Sequence, residues 1–190
     1  MKSPVLFLLL NGAVALGISA QAVPDAARVR GTLAFDASAT LGAFTGSTST
    51  LTGRLAGAPT LAGVRGWVEA PARSLTSRNG KRDRDTWSSL EVEKYPTIRF
   101  DLDSVAPGAT SGDSQAVALH GRFHLHGAEH AATLHGWLWR TGAASRFRGA
   151  TPLNVKDYGV GGLTKALGML RMNEHITVRV DVSFDSDARE

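Results

Sequence analysis

The feature that most constrains the fold is an alternation of apolar and polar residues with a period of two. In residues 174–184, every second side chain from Ile176 to Phe184 is apolar, and the side chains between them are polar or charged. Successive side chains of a strand point to opposite faces, so this pattern predicts a strand with one dry face. Similar stretches recur, and we predict eight strands. They cover residues 29–35, 44–51, 64–70, 98–103, 117–126, 132–140, 146–153 and 174–184.

Helical spacing is found in one short segment near the C-terminus. In residues 161–171, Leu163, Leu167 and Leu170 recur at intervals of three and four residues. A helix of this length is not stable alone, so we expect it to pack on the sheet, either as a plug at one end of the barrel or as a cover on its side. A weaker helical signal covers residues 82–90.

Eight one-sided strands must bury all their dry faces. Closing them into one antiparallel barrel turns every dry face inward and removes both sheet edges. We therefore predict an all-β fold, an eight-stranded antiparallel barrel with one short helix near the C-terminus. A β-sandwich is the rival arrangement.

The predicted inner faces contain small residues among the branched aliphatic ones. These are Gly31, Gly66, Ala70, Gly121 and Gly136. Small residues inside a strand either mark a bend around a solid core or leave room for a slender ligand. The residues alone do not separate these two interpretations.

The first 22 residues differ from the rest of the chain. Lys2 precedes an apolar stretch, and Ala20-Gln21-Ala22 matches the small-x-small pattern of a signal-peptide cleavage site. We predict a signal peptide over residues 1–22 and one domain over residues 23–190, in a periplasmic or secreted protein. A membrane anchor is the weaker alternative, because no unbroken apolar stretch is long enough to span a bilayer.

Composition excludes several functional classes. The 190 residues contain no cysteine, so disulfides, thiolate metal sites and thiol catalysis are impossible. The net charge is +4 without a long basic run, so we expect no nucleic-acid partner, whereas transient contact with an anionic membrane surface is compatible with this charge. The hydrolase, dinucleotide, P-loop and zinc-protease motifs are missing, and we predict no enzyme activity. The sequence does not indicate an oligomeric state.

Four histidines form a weak candidate metal site. If Phe123 pairs with Leu134 across a hairpin turn, all four fall on one outward face of two neighbouring strands. They are His120, His124, His126 and His135. Imidazoles bind zinc or copper, but alternate side chains along a strand are about 7 Å apart and nearly parallel, so a solvated surface is the simpler interpretation. If these histidines do bind a metal, the alternative function is an exported metal-binding or stress-protective protein with a filled barrel.

Several sequence blocks carry a family resemblance. The most specific is LEVEKYPTIRF at residues 90–100, and WVEA at 67–70, FTG at 44–46, LHG at 125–127 and DYGV at 157–160 accompany it. Together they resemble the YceI-like family of exported, lipocalin-like proteins that bind polyisoprenoids.

The resemblance implies an elongated apolar cavity that holds an isoprenoid chain, such as a quinone tail or a polyprenyl lipid. The protein would carry or store this lipid without catalysis and without a cofactor. Apolar residues of the predicted inner faces are the candidate lining. They are Leu33, Phe35, Val64, Val68, Ile98, Phe100, Leu102, Leu119, Phe123, Leu134, Leu138, Phe147, Ile176, Val178 and Val180.

Two further sets of residues are candidates at the cavity mouth. Arg82 and Arg84 would contact an anionic lipid head group, with a solvated loop of weak ion pairs as the plain alternative. The predicted helix would form a cover through Leu163, Leu167 and Leu170. It would also cover Trp137 and Trp139 on the outer face.

Overall fold

The computed structural model describes residues 26, 28–141, 144–161, 164–165 and 170–185. The predicted signal peptide, residues 1–22, lies outside them. The α-helix of the described part is α1 (Gly80–Ser89), and short 3₁₀ helices cover Leu61–Gly63 and Ala72–Ser74. The strands are β1 (Arg28–Ala39), β2 (Gly42–Thr48), β3 (Thr52–Ala56), β4 (Arg65–Pro71), β5 (Thr97–Ser111), β6 (Ser114–Leu125), β7 (Ala128–Thr141), β8 (Ala144–Asn154), β9 (Thr164–Lys165), β10 (Leu170–Arg171) and β11 (His175–Asp185).

Nine of these strands form one antiparallel sheet in the order β2-β1-β11-β8-β7-β6-β5-β4-β3. The sheet curls until its edges are linked. Ala26 and Leu55 of β3 exchange two backbone hydrogen bonds, with N···O distances of 3.1 and 2.7 Å. Ser47 of β2 and Thr76 do the same at 2.9 and 3.0 Å. The predicted all-β, lipocalin-like antiparallel fold is confirmed, as a half-barrel whose open side these links bridge.

The main sheet has nine strands instead of the predicted eight. The predicted strand over residues 44–51 ends at Thr48, and a separate strand, β3, begins at Thr52. Thr48 Oγ1 accepts a hydrogen bond from the backbone N–H of Thr50 at 3.0 Å. Such a local turn competes with the strand ladder and separates the two strands.

The helix predicted near the C-terminus is wrong for the residues that the structure describes. Residues 164–165 and 170–171, the latter including Leu170, form β9 and β10, which pair with each other. Leu163 and Leu167 lie outside the described residues. The α-helix α1 lies instead in the segment with the weaker helical signal, residues 82–90. Asn79 caps it by accepting a hydrogen bond from the Arg82 N–H at 3.1 Å. Two turns of leucine spacing are too short to favour a helix over local pairing.

Inner-face glycines mark the positions where curling brings neighbouring backbones closest. A Cβ at Gly31 would lie 2.0 Å from the Asp181 carbonyl oxygen, and one at Gly121 would lie 2.0 Å from the Asp101 carbonyl oxygen. Any other residue would therefore push the two strands apart. These glycines allow neighbouring strands to approach closely where the sheet bends, and they do not themselves leave space in the lumen.

The Asp83 carboxylate fastens α1 to the edge of the barrel. Its oxygens accept hydrogen bonds from Thr76 Oγ1 at 2.8 Å and from the N–H and Oγ of Ser77 at 2.7 and 2.6 Å. Burial alone would raise the pKa of Asp83, but these hydrogen bonds and the charge of Arg82 outweigh it and lower the pKa. Because Thr76 also bridges to β2, Asp83 connects the helix to that strand.

No helix in the described part of the chain is long and apolar enough to cross a lipid bilayer.

Replacing Gly121 with Ala should destabilise the barrel, because the new Cβ would overlap the Asp101 carbonyl. We expect the free energy of unfolding to fall by about 1–3 kcal/mol in urea denaturation. Gly161→Ala is the matched control, since no atom of the described residues beyond its chain neighbours lies within 4 Å of its Cβ position. The control should change stability by less than about 0.5 kcal/mol. Equal stability of the two variants would contradict the close-approach argument.

Replacing Asp83 with Asn should lower the free energy of unfolding at neutral pH by about 1–3 kcal/mol, because an amide cannot accept all three hydrogen bonds. The folded pKa of Asp83 lies below its unfolded value of about 3.9, so the carboxylate contributes stability above that pH. This contribution is lost as pH falls through the folded pKa. The stability difference between wild type and variant should therefore shrink in acid.

Urea denaturation across a pH series measures this difference. Asp103→Asn is the control, because that carboxylate is half exposed and its ion pair with Arg122 spans 3.5 Å. A gap for Asp83→Asn that stays constant from neutral pH down to about pH 2 would show that ionisation of Asp83 contributes nothing.

Candidate ligand-binding cavity

The described residues enclose two cavities inside the barrel, one towards each end of β1. The α1-end cavity has a volume of about 550 Å³ and reaches the surface between α1 and the β1–β2 turn. The β3-end cavity has a volume of about 110 Å³ and lies beneath β3 and β4. They correspond to two clusters of buried apolar residues, and Phe100 and Val180 pack against both clusters.

The β3-end cavity is lined almost entirely by aliphatic and aromatic side chains. Leu102, Leu134 and Phe147 are buried in its wall, each no more than 9% exposed. Glu69, Arg99 and Ser145 are the polar or charged residues among its lining. A cavity of this character favours a hydrocarbon over a ligand that needs hydrogen bonds.

The α1-end cavity combines an apolar interior with a polar rim. Its interior is formed by inner-face residues such as Ile176 and Val178. The rim includes one face of the helical segment, whose residues recur at intervals of three and four. They are Asn79, Arg82, Asp85, Thr86 and Ser89. Such a site can hold an apolar chain and present a polar end to water.

Three side chains separate the two cavities. Leu33, Ile98 and Phe123 line both of them. Phe123 is 3% exposed, and its ring packs edge-on against the Tyr158 ring with centroids 6.0 Å apart. Removing volume at this partition would join the cavities into one longer lumen.

All fifteen apolar candidates from the sequence line one of these cavities. Leu33, Ile98 and Phe123 form the partition, and the α1-end cavity also contains Phe35, Ile176 and Val178. The remaining nine line the β3-end cavity. They are Val64, Val68, Phe100, Leu102, Leu119, Leu134, Leu138, Phe147 and Val180.

Four further lining residues were missed because they lie outside alternating strands. Leu75 and Leu90 flank α1, and Val155 and Val160 belong to the segment after β8. A single apolar residue in a turn carries no periodic signal, so only the contacts between distant segments reveal its position.

The two candidate head-group arginines lie on different sides of α1. Arg82 lines the α1-end cavity, and its guanidinium lies 4.5 Å from the centre of the Phe44 ring. Arg84 lies in a separate surface groove with Arg73 and Trp87, so its placement at the mouth is wrong. Residues two apart on a helix are separated by about 200°, and both cannot face one opening.

The assumed pairing of Phe123 with Leu134 is also wrong, because Phe123 pairs with His130 and Leu134 with Leu119. The hairpin turn consists of two residues, His126 and Gly127, with φ of 52° and 76°. These left-handed angles are those of a tight two-residue turn, whereas the assumed pairing would centre the turn on Ala128 and Glu129.

The four histidines do not form a metal site in the described part of the chain, where no group of three or more His, Asp or Glu side chains can hold an ion. His126 Nδ1 donates to the Tyr158 carbonyl at 3.0 Å, and His120 Nδ1 lies 3.0 Å from Thr133 Oγ1. His135 pairs with Ala118 across the β6–β7 ladder.

His124 belongs instead to a charged network on the outer face. Its Nε2 lies 2.7 Å from Asp101 Oδ2, and Arg99 binds both Asp101 at 2.7 Å and Glu69 at 3.2 Å. The hydrogen bonds from Arg99 lower the pKa of Asp101 against the opposing effect of burial. This face is wet, as the alternation predicts. Trp137, on the outer face of β7, is 41% exposed, although we expected the predicted helix near the C-terminus to cover it.

The comparisons with known proteins agree with this fold. A polyisoprenoid-binding domain from Saccharophagus degradans has a TM-score of 0.70 at 15% identity, with 87% of this chain and 99% of that chain covered. BcnA from Burkholderia cenocepacia has a TM-score of 0.65 at 12% identity, with 80% and 95% covered. A YceI protein from Campylobacter jejuni has a TM-score of 0.55 at 12% identity, with 99% and 100% covered. No curated protein sequence matches the chain.

The model of one family matches most of the sequence. Its match extends over residues 23–184, which includes the whole nine-stranded sheet except for the last residue of β11. The chain therefore belongs to the family of proteins with a YceI-like domain.

Proposed function

We propose that the protein binds a polyisoprenoid-type lipid, such as a polyprenyl lipid or the tail of a quinone, inside the barrel. The tail occupies the α1-end cavity and extends past Phe123 towards the β3-end cavity. The observation that carries this proposal is the lumen itself: two apolar cavities on one axis, with a polar rim at a single end.

Burial of hydrocarbon supplies enough free energy for such a ligand. Each CH₂ group contributes about 0.8 kcal/mol, so one five-carbon unit contributes about 4 kcal/mol before losses. Association costs about 4–15 kcal/mol, which a few buried units offset. A prenyl tail offers no hydrogen bonds, so selectivity depends on the length and width of the lumen.

The polar end of the ligand lies at the rim formed by α1. Arg82 and the hydroxyl and amide groups of the same helix face provide hydrogen-bond donors there. These donors suit a phosphate, a hydroxyl or a quinone carbonyl. The relative from Saccharophagus degradans is described as a polyisoprenoid-binding domain, which supports the same ligand class for this chain.

The proposal also covers the role of the protein in the cell. The N-terminal pattern supports export, so the protein acts in the periplasm or after secretion. We propose carriage or storage without catalysis and without a cofactor, since the sequence lacks the hydrolase, dinucleotide, P-loop and zinc-protease motifs.

Native mass spectrometry of the purified full-length protein tests the proposal directly. We expect a mass increment that organic extraction removes and that matches an isoprenoid lipid. Incubation with a defined polyprenol should return that polyprenol chemically unchanged. A protein that binds no polyprenol after delipidation would refute the proposed function.

Tryptophan substitutions at the two cavities should block ligands of different length. Val178→Trp fills the α1-end cavity and should lower affinity for both short and long polyprenols by at least about tenfold. Leu119→Trp fills only the β3-end cavity and should weaken the long polyprenol selectively. Fluorescence titration with the two polyprenols measures both affinities.

Thr177→Trp is the matched control, because Thr177 neighbours Val178 on the opposite, exposed face of β11. It should leave both affinities within about twofold. If Val178→Trp folds and retains wild-type affinity for both polyprenols, the ligand does not lie in the α1-end cavity.

Replacing Phe123 with Leu should join the two cavities, because the smaller side chain removes the ring from the partition. We expect the ratio of long-chain to short-chain affinity to rise several-fold, with a loss of stability below about 1.5 kcal/mol. Competition between the two polyprenols measures the ratio, and thermal unfolding measures stability. An unchanged ratio in a folded variant would show that Phe123 does not limit chain length.

A further inference from the structure

An exposed leucine stands beside the mouth of the α1-end cavity. Leu41 lies in the turn between β1 and β2, and its side chain is 83% exposed, the highest value among the large apolar residues that the structure describes. Residues 39–43 of the same turn line the mouth. A single exposed leucine is ordinary by itself. Leu41 is notable because it lies at the mouth of an apolar cavity.

Positive charge lies on the other side of the mouth. Lys81 lines it with a side chain 78% exposed, Arg82 lines it as well, and Arg78 is exposed in the loop before α1. Asp85 is the acidic residue among the cavity lining, and it lies 3.5 Å from Lys81. The Asp83 side chain is buried, and its carboxylate accepts hydrogen bonds from Thr76 and Ser77. The rim is therefore net positive.

An apolar tip next to cations matches the surface of an anionic bilayer. The leucine can enter the boundary between head groups and acyl chains, while the cations contact phosphates. This juxtaposition occurs at the opening through which an apolar ligand reaches the lumen. A hydrocarbon chain that passes from a bilayer into an adjoining mouth never crosses water, which removes the largest barrier to exchange.

We propose that the β1–β2 turn and the start of α1 form a docking surface for an anionic lipid bilayer, with Leu41 inserted and Arg78, Lys81 and Arg82 on the head groups. The proposal rests on the proposed lipid-binding function and identifies the partner with which the cavity exchanges its ligand. One leucine and three cations make the docking weak and reversible, as a carrier requires.

Vesicle co-sedimentation of the full-length protein tests the docking. Vesicles of phosphatidylcholine mixed with phosphatidylglycerol should bind the wild type, vesicles of phosphatidylcholine alone should bind it more weakly, and added salt should reduce the difference. Leu41→Ser should lower the partition coefficient on anionic vesicles by about tenfold. Its thermal unfolding should match the wild type, because the side chain is exposed.

Two matched controls distinguish docking through this surface from nonspecific adsorption to the vesicles. Trp137→Ser removes the other exposed large apolar side chain of the described residues, on the outer face of β7, and should leave vesicle binding unchanged. The double variant Arg78→Gln, Lys81→Gln should weaken anionic-vesicle binding several-fold. The variant Arg28→Gln, Arg54→Gln changes the same charge at the far end of the barrel and should not.

The outcomes distinguish the docking proposal from the proposed function. A wild type that binds a polyprenol in solution but no vesicles refutes the docking and leaves the lipid-binding function intact. Vesicle binding without polyprenol binding refutes the function and leaves the docking surface. Equal losses for Leu41→Ser and Trp137→Ser, or a Leu41-dependent dimer in size-exclusion chromatography with no vesicle association, also refute the docking.

Discussion

A nine-stranded sheet can bury one face without a second layer only if it curls, and curling forces neighbouring backbones together at each bend. At Gly31 and Gly121 the adjacent carbonyl occupies the space where a side chain would begin. The bends allow Ala26 and Ser47 to link the two edges of the sheet. The inner faces then meet one another, and the apolar core of the protein exists only because of this curvature.

The same curvature leaves the lumen incompletely filled. Side chains from opposite walls meet at Leu33, Ile98 and Phe123, and cavities remain on both sides of them. An apolar space lined in this way suits a flexible hydrocarbon chain better than a compact polar ligand. The polar rim lies at one end because α1 packs there, fastened by Asp83 to the loop that also bridges to β2.

Two of the predictions that failed share one physical origin. The short leucine pattern near the C-terminus and the β6–β7 pairing both depend on what a few residues do next to distant segments. In the β6–β7 hairpin, His126 adopts a left-handed conformation although it is neither glycine nor asparagine. The partner of Phe123 is therefore His130 instead of Leu134, a shift of four positions in register. Because four is an even number, Phe123 and Leu134 still point inward, and only their partners change.

The sequence by itself determined which side chains of each strand face inward, since a period of two is a local property that survives any even shift of register. The sequence also indicated the family, through the block at residues 90–100. It identified fifteen apolar residues that all line the cavities. Only the tertiary structure decided the partition at Phe123, which face of α1 borders the cavity, and the joining of Leu41 and α1 into one mouth. These features depend on segments that meet through the curl of the sheet and its turns, and no local pattern encodes such distances.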